Sequence, residues 1–136
     1  MTSSFVGGIP RSARKTPYGT WVISVSASGG LPVAARLNGK KSLVLGNNDR
    51  YESKDYRKYF NQITGIIEMK DFALSHVPLH ESQLKRWRFN VHGHLHLRTV
   101  KRLRHRDDLK HVKLVDDFRY LCVNCEQINL IPVLYD

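Results

Sequence analysis

The sequence contains no run of about 18 apolar residues, which excludes a helix crossing a membrane. The first 30 residues lack the apolar stretch of a secretion signal, so a cytoplasmic address is the expectation. Cysteine is scarce. Cys122 and Cys125 are too few for a disulfide framework, in keeping with a reducing compartment. Acidic residues are absent before Asp49, whereas Arg11, Arg14, Lys15, Arg36, Lys40 and Lys41 make that stretch basic. No internal repeat is visible. What is present is enough for one packed domain: 136 residues, 41% of them hydrophobic. Twenty-two Lys and Arg against twelve Asp and Glu leave a charge of +10, which points to an anionic partner, either nucleic acid or a phosphate ester.

Residues 1–30 are rich in glycine and serine and show no amphipathic period, so they read as an atypical, poorly ordered arm. Residues 31–136 read as the folded part. Ser42–Leu45 is a short apolar strand that runs into the loop Gly46-Asn47-Asn48-Asp49. Ser53 is placed to cap a helix through about Gln62, with Tyr56, Tyr59, Phe60 and Ile63 on one face. Ile66–Met69 and Phe72–Ser75 form a hairpin, and the loop His76–His80 follows. Glu81–Trp87 suits a short helix and Phe89–Val91 a strand leading into His92–His96. Tyr120–Val123 and Ile128–Val133 read as closing strands. The class is α/β, with the site at strand ends.

The densest chemistry lies in Asn90-Val91-His92-Gly93-His94-Leu95-His96. Residues two apart on an extended segment point the same way, so His94 and His96 can converge on one point or two adjacent ones. Neutral imidazole suits Zn, Mn or Fe, and Gly93 lets the backbone bend close to an ion. Asn47 and His76 follow two other apolar strands and offer further neutral ligands.

Taken in order, Gly46-Asn47-Asn48-Asp49, Ser75-His76-Val77-Pro78 and Gly93-His94-Leu95-His96 resemble the last three motifs of the calcineurin-like metallophosphoesterases. The tail Arg119–Pro132, with Val123, Glu126 and Pro132, is similar to the closing strands of small bacterial and phage members. The resemblance implies part of an αββα sandwich that lacks its regular N-terminal strands, spanning residues 31–136. It implies that Asn47, His76 and His94 ligate one metal of a dinuclear pair and His96 the other. The metals would be Mn, Zn or Fe, and the substrate a phosphomonoester or phosphodiester. Asn48 and Asp49 fall at the family's catalytic positions.

The sequence departs from that pattern in two ways. The family has a proton-carrying His where this chain has Asn48, and Asn carries no proton at neutral pH. The family's Asp-x-His and Gly-Asp motifs, which supply carboxylates to the metals, are absent, so impaired activity is the expectation. A shifted reading frame accounts for the second departure. When each codon's third base is joined to the first two bases of the next, Met1-Thr2 forces an Asp and Trp21-Val22 a Gly. From Arg14-Lys15 to Val22-Ile23 the allowed codons can spell Glu-Asp-Thr-Val-Trp-His-Leu-Gly-Asp, which is similar to the missing second-motif region. Residues 2 to about 28 are therefore read as translated out of frame.

The remaining candidates are plainer. Cys122 and Cys125 read as strand packing residues, since no second Cys pair completes a zinc site. His80 and His92 match no ligand position. The run Arg98–Lys113, with Arg98, Lys101, Arg102, Arg104 and Arg106, reads as a solvated hairpin or loop. Its alternative is a non-catalytic module that grips nucleic-acid phosphates.

Overall fold

A computed structural model describes residues 20–23, 30–105, 112–129 and 131. The elements in chain order are β1 (Thr20–Ile23), α1 (Gly30–Ala35), β2 (Lys41–Val44), α2 (Ser53–Tyr56), β3 (Gln62–Thr64), β4 (Ile66–Glu68) and β5 (Phe72–Ser75). A 3-10 turn (Glu81–Lys85) follows, then β6 (Phe89–His92), β7 (Lys101–His105), β8 (Val112–Asp116) and β9 (Tyr120–Cys122). Helices and strands are mixed, so the class is α/β.

Three sheets organise these strands. The first is all parallel, in the order β1-β2-β3. The second runs β4-β5-β6-β9, with β4 antiparallel to β5 and the other pairs parallel. The third is an antiparallel ribbon of β7 and β8. Alternation along β2 shows how the layers stack, because neighbouring side chains on a strand face opposite ways. Leu43 packs on one side with Leu31, Ala34 and Leu37 and with Tyr56 and Phe60. Val44 packs on the other with Ile67, Phe72 and Leu74 of the second sheet. The parallel sheet is thus sandwiched between a helical layer and the second sheet. The outer face of the second sheet is polar near its end, where Ser75, Asn90 and His92 are all buried.

The aromatic face expected of the first long helix exists, but most of that helix does not. Tyr56 and Phe60 are buried, and Tyr59 and Ile63 pack against them. The helix stops at Tyr56, Glu52 rather than Ser53 is the cap residue, and Gln62–Thr64 joins the parallel sheet as β3. Asn61 forces the change: its side chain accepts from the Lys41 N–H (2.9 Å) and its own N–H donates to the Lys41 carbonyl (2.7 Å), docking the chain on β2. The expected strand from Ile128 is also replaced. Gln127 and Ile128 both donate to the Asn124 carbonyl, and Asn129 is left-handed, so this stretch turns. The rest of that predicted strand lies mainly outside the described residues.

Within the predicted arm, Thr20–Ile23 pairs in parallel with β2 at the sheet edge. Trp21, Val22 and Ile23 carry the strand propensity that such recruitment needs. Residues 1–19 and 24–29 lie outside the described residues. Among the described residues, no helix is long and apolar enough to cross a membrane.

Candidate metal centre

Asn47 is presented by a tight turn at the carboxyl end of β2. The Leu45 N–H donates to the Thr64 carbonyl (2.8 Å), which holds the exit in line with β3. The Asp49 carboxylate then accepts from the Gly46 N–H (2.6 Å), and the Asp49 N–H donates to the Gly46 carbonyl (3.2 Å). Asp49 therefore shapes this loop. Asn48, half-buried beside it, meets the Asn47 amide only at 3.5 Å.

His76 is placed by a buried polar network. Asn90 has no exposed surface. Its amide nitrogen donates to the Ala73 carbonyl (3.0 Å) and the Ser75 hydroxyl (2.9 Å), and its oxygen accepts from the Leu79 N–H (2.8 Å). Ser75 in turn donates to the Val77 carbonyl (2.6 Å). The residues on both sides of His76 are thereby fixed to β6. Tyr120 donates to the Leu79 carbonyl (2.8 Å), which ties the same loop to β9.

His94 and His96 do not lie on an extended segment. Both are left-handed, with φ of 65° and 53°, a region that costs non-glycine residues energy. The loop is held by the Gly93 N–H, which donates to the His76 carbonyl (3.1 Å), and by Leu95, which donates to the Gly93 carbonyl (2.8 Å). This conformation sends the two rings to different partners, so the single alternating face expected for them is replaced by a turn.

The result is a convergence of three loops. His76 Nε2 lies 2.7 Å from Asn47 Oδ1 and 3.1 Å from His94 Nδ1. The two imidazoles meet edge to face, with centroids 4.9 Å apart. With ligand bonds near 2.1 Å, neighbouring donors around one ion sit roughly 3.0–3.4 Å apart, so these spacings suit a shared ion after small adjustment. Burial, reinforced by the nearby His94 and His92, holds the His76 pKa below its ordinary 6.5, which keeps the ring neutral as a ligand must be. One feature opposes binding. His76 Nδ1 is buried without a hydrogen-bond partner, and an ion taking the Nε2 lone pair would leave the ring proton there.

His96 stands apart from this trio. Its Nδ1 meets Glu126 Oε1 at 2.9 Å, and its carbonyl accepts from the Gln127 amide (2.5 Å). A carboxylate on Nδ1 fixes the proton there and turns the Nε2 lone pair outward, the arrangement usual for a metal-binding histidine. Among the described residues, no group of three or more His, Cys, Asp or Glu side chains could hold an ion. The trio consists of two histidines and an amide.

No known family matches the chain, and no curated protein does. A solved structure is similar to it: the protein of unknown function AQ665 from Aquifex aeolicus. The two share 24% identity and a TM-score of 0.48, over 83% of this chain and 71% of that one.

Sequence reasoning assigned no role to Asn90 or Glu126. Asn90 sits inside the strand Phe89–His92, where a buried amide must find partners, and that polar interruption was the available signal. Glu126 stood out only as part of the closing tail, because its pairing with His96 spans 30 residues and depends on how the β9 exit turns. Among the other candidates, Cys122 and Cys125 are free thiols, half-buried and buried. Arg98 and the β7 residues Lys101, Arg102 and Arg104 are exposed, and Arg106 lies outside the described residues.

Proposed function

We propose that this chain is part of a calcineurin-like metallophosphoesterase domain whose activity is impaired. The observation that carries the reading is the meeting of Asn47, His76 and His94, drawn from three strand-end loops, within 2.7–3.1 Å of the His76 Nε2 atom. The helical layer, parallel sheet and second sheet are consistent with one side and the centre of the family's αββα sandwich. In this reading Asn47, His76 and His94 hold one divalent ion, Mn, Zn or Fe, and His96 faces the neighbouring position. A bound ion would polarise a phosphoryl oxygen and supply hydroxide at neutral pH for hydrolysis of a phosphomonoester or phosphodiester. The protein acts in the cytoplasm.

The residues themselves explain the impairment. All three donors are neutral, so nothing among them offsets a doubly charged ion, and affinity falls steeply when anionic ligands are missing. Asn48 cannot donate a proton to a leaving group, a role typically worth about 10²–10⁴-fold in rate. These losses affect binding and chemistry separately, so they compound. The test is hydrolysis of a chromogenic phosphodiester with micromolar Mn²⁺, and the chain is expected to stay at background. Asn48→His alone should not rescue it. Replacing residues 2–28 by the frame-shifted translation, with an Asp-x-His segment supplied upstream, should recover part of the activity. Robust metal-dependent turnover by the unaltered chain would overturn the assignment of the ligands.

A further inference from the structure

The β7–β8 ribbon has two unlike faces, and the pairing register says which residues share each. Lys101 is opposite Asp116 and Leu103 opposite Leu114, on one face; Arg102 is opposite Val115 and Arg104 opposite Lys113, on the other. On the first face the charges are neutralised, since Lys101 pairs with Asp116 and Thr99 donates to the same carboxylate. On the second, Arg102, Arg104 and Lys113 carry three positive charges, and among the described residues of the two strands none of their cross-strand partners is acidic. Asp117, one residue beyond β8, acts on Arg102 electrostatically but is buried and paired with Arg119. Arg104 and Lys113 are direct cross-strand neighbours of like charge, an arrangement that destabilises a ribbon. Nor is this repulsion offset by burial. Leu103 and Leu114 are 61% and 62% exposed, so the ribbon stands clear of the core, and all three cations are exposed.

A repeating anion would convert that repulsion into binding energy. We propose that the Arg102–Arg104–Lys113 face docks the phosphate backbone of a nucleic acid. Guanidinium groups two residues apart on a strand are about 6.6–6.8 Å apart at their roots, and each presents a fork that matches a phosphate. A two-stranded ribbon is also narrow enough for the major groove of a DNA duplex, which is about 12 Å wide. The three side chains that define the face are donors only, so they recognise regularly spaced negative charge and not sequence. An acidic protein surface offers carboxylates without that regular spacing. The docking stands independently of whether the metal centre is active.

The experiment is a fluorescence-anisotropy titration of a labelled 20-base-pair DNA duplex between 50 and 200 mM salt. It compares the chain with two triple variants of equal charge loss. One is Arg102→Ala/Arg104→Ala/Lys113→Ala. The other is Arg36→Ala/Lys40→Ala/Arg57→Ala, at exposed cations elsewhere. Each phosphate contact contributes about −0.9 to the slope of log affinity against log salt, so the ribbon variant should lower its magnitude by about 2.7, and the control by far less. Arg102→Lys/Arg104→Lys, which keeps the charge, should retain the slope and shows that any loss is not one of folding. Absence of binding at 50 mM salt, an equal loss in the control, or competition by polyglutamate as strong as by DNA would each overturn the proposal.

Discussion

His92 shows how burial can set the direction of a pH response. It is almost wholly buried; Nδ1 donates to the Gly93 carbonyl (2.8 Å), while Nε2 is buried without a partner. Burial pushes its pKa below 6.5, the His94 charge adds to that, and the Gly93 bond partly opposes it. His76 is shifted the same way. At these two rings the unfolded chain takes up protons more readily than the folded chain as pH falls through about 6.5, so their contribution to stability is present above that value and is lost progressively below it. The urea midpoint should be lower at pH 5.5 than at 7.5, and His92→Gln should shrink the difference. A drop of equal size in that variant would show that other groups set the response. The residue scale is also where the sequence was most legible. Asn47, His76 and His94 stood out because each follows an apolar strand, and strand ends gather in this class of fold. The partner of His96 was illegible, since a left-handed turn is not encoded by any glycine at His94 or His96.

Elements position the centre through polar groups more than through apolar packing. Asn90 supports the loop of His76 with donors and an acceptor that no solvent replaces. Removing it leaves the Leu79 N–H and the Ala73 carbonyl short of partners, and each such orphan costs about 1–3 kcal/mol. Asn90→Ala should therefore lower unfolding free energy by about 2–4 kcal/mol in a urea titration. A loss below about 1 kcal/mol would mean that the network is dispensable. The strands around it were readable from alternation and apolar runs: β2, β5 and β6 fall within a residue or so of their expected positions. The helix from Ser53 was over-extended because periodicity reports a shared face, and Tyr56, Phe60 and Ile63 share one core without sharing one helix. Competition from Asn61 with the backbone of β2 decided that boundary, and such long-range pairing is invisible to local pattern.

At the scale of the molecule, charge and completeness govern what the chain can do. A net charge of +10 favours the anionic partners proposed for both the candidate centre and the ribbon, but the acid-free stretch before Asp49 offers the candidate centre no carboxylate from that side. Out-of-frame translation of residues 2 to about 28 is the proposed source of that deficit, and sequencing the coding DNA tests it: the shifted frame should encode the Gly-Asp segment, and a frame that does not would refute it. The proposed function requires that Asn47, His76 and His94 share one ion. Nitrogen-15 NMR of the histidine rings during a Zn²⁺ titration tests it most directly, because weak binding is still visible as shifts of individual rings. His76 and His94 should shift together along one weak isotherm while His80 stays still, and Asn47→Ala should weaken the isotherm while His76→Ala abolishes the His94 shift. Rings of His76 and His94 that remain unmoved at millimolar Zn²⁺, or that respond independently of each other, would contradict it.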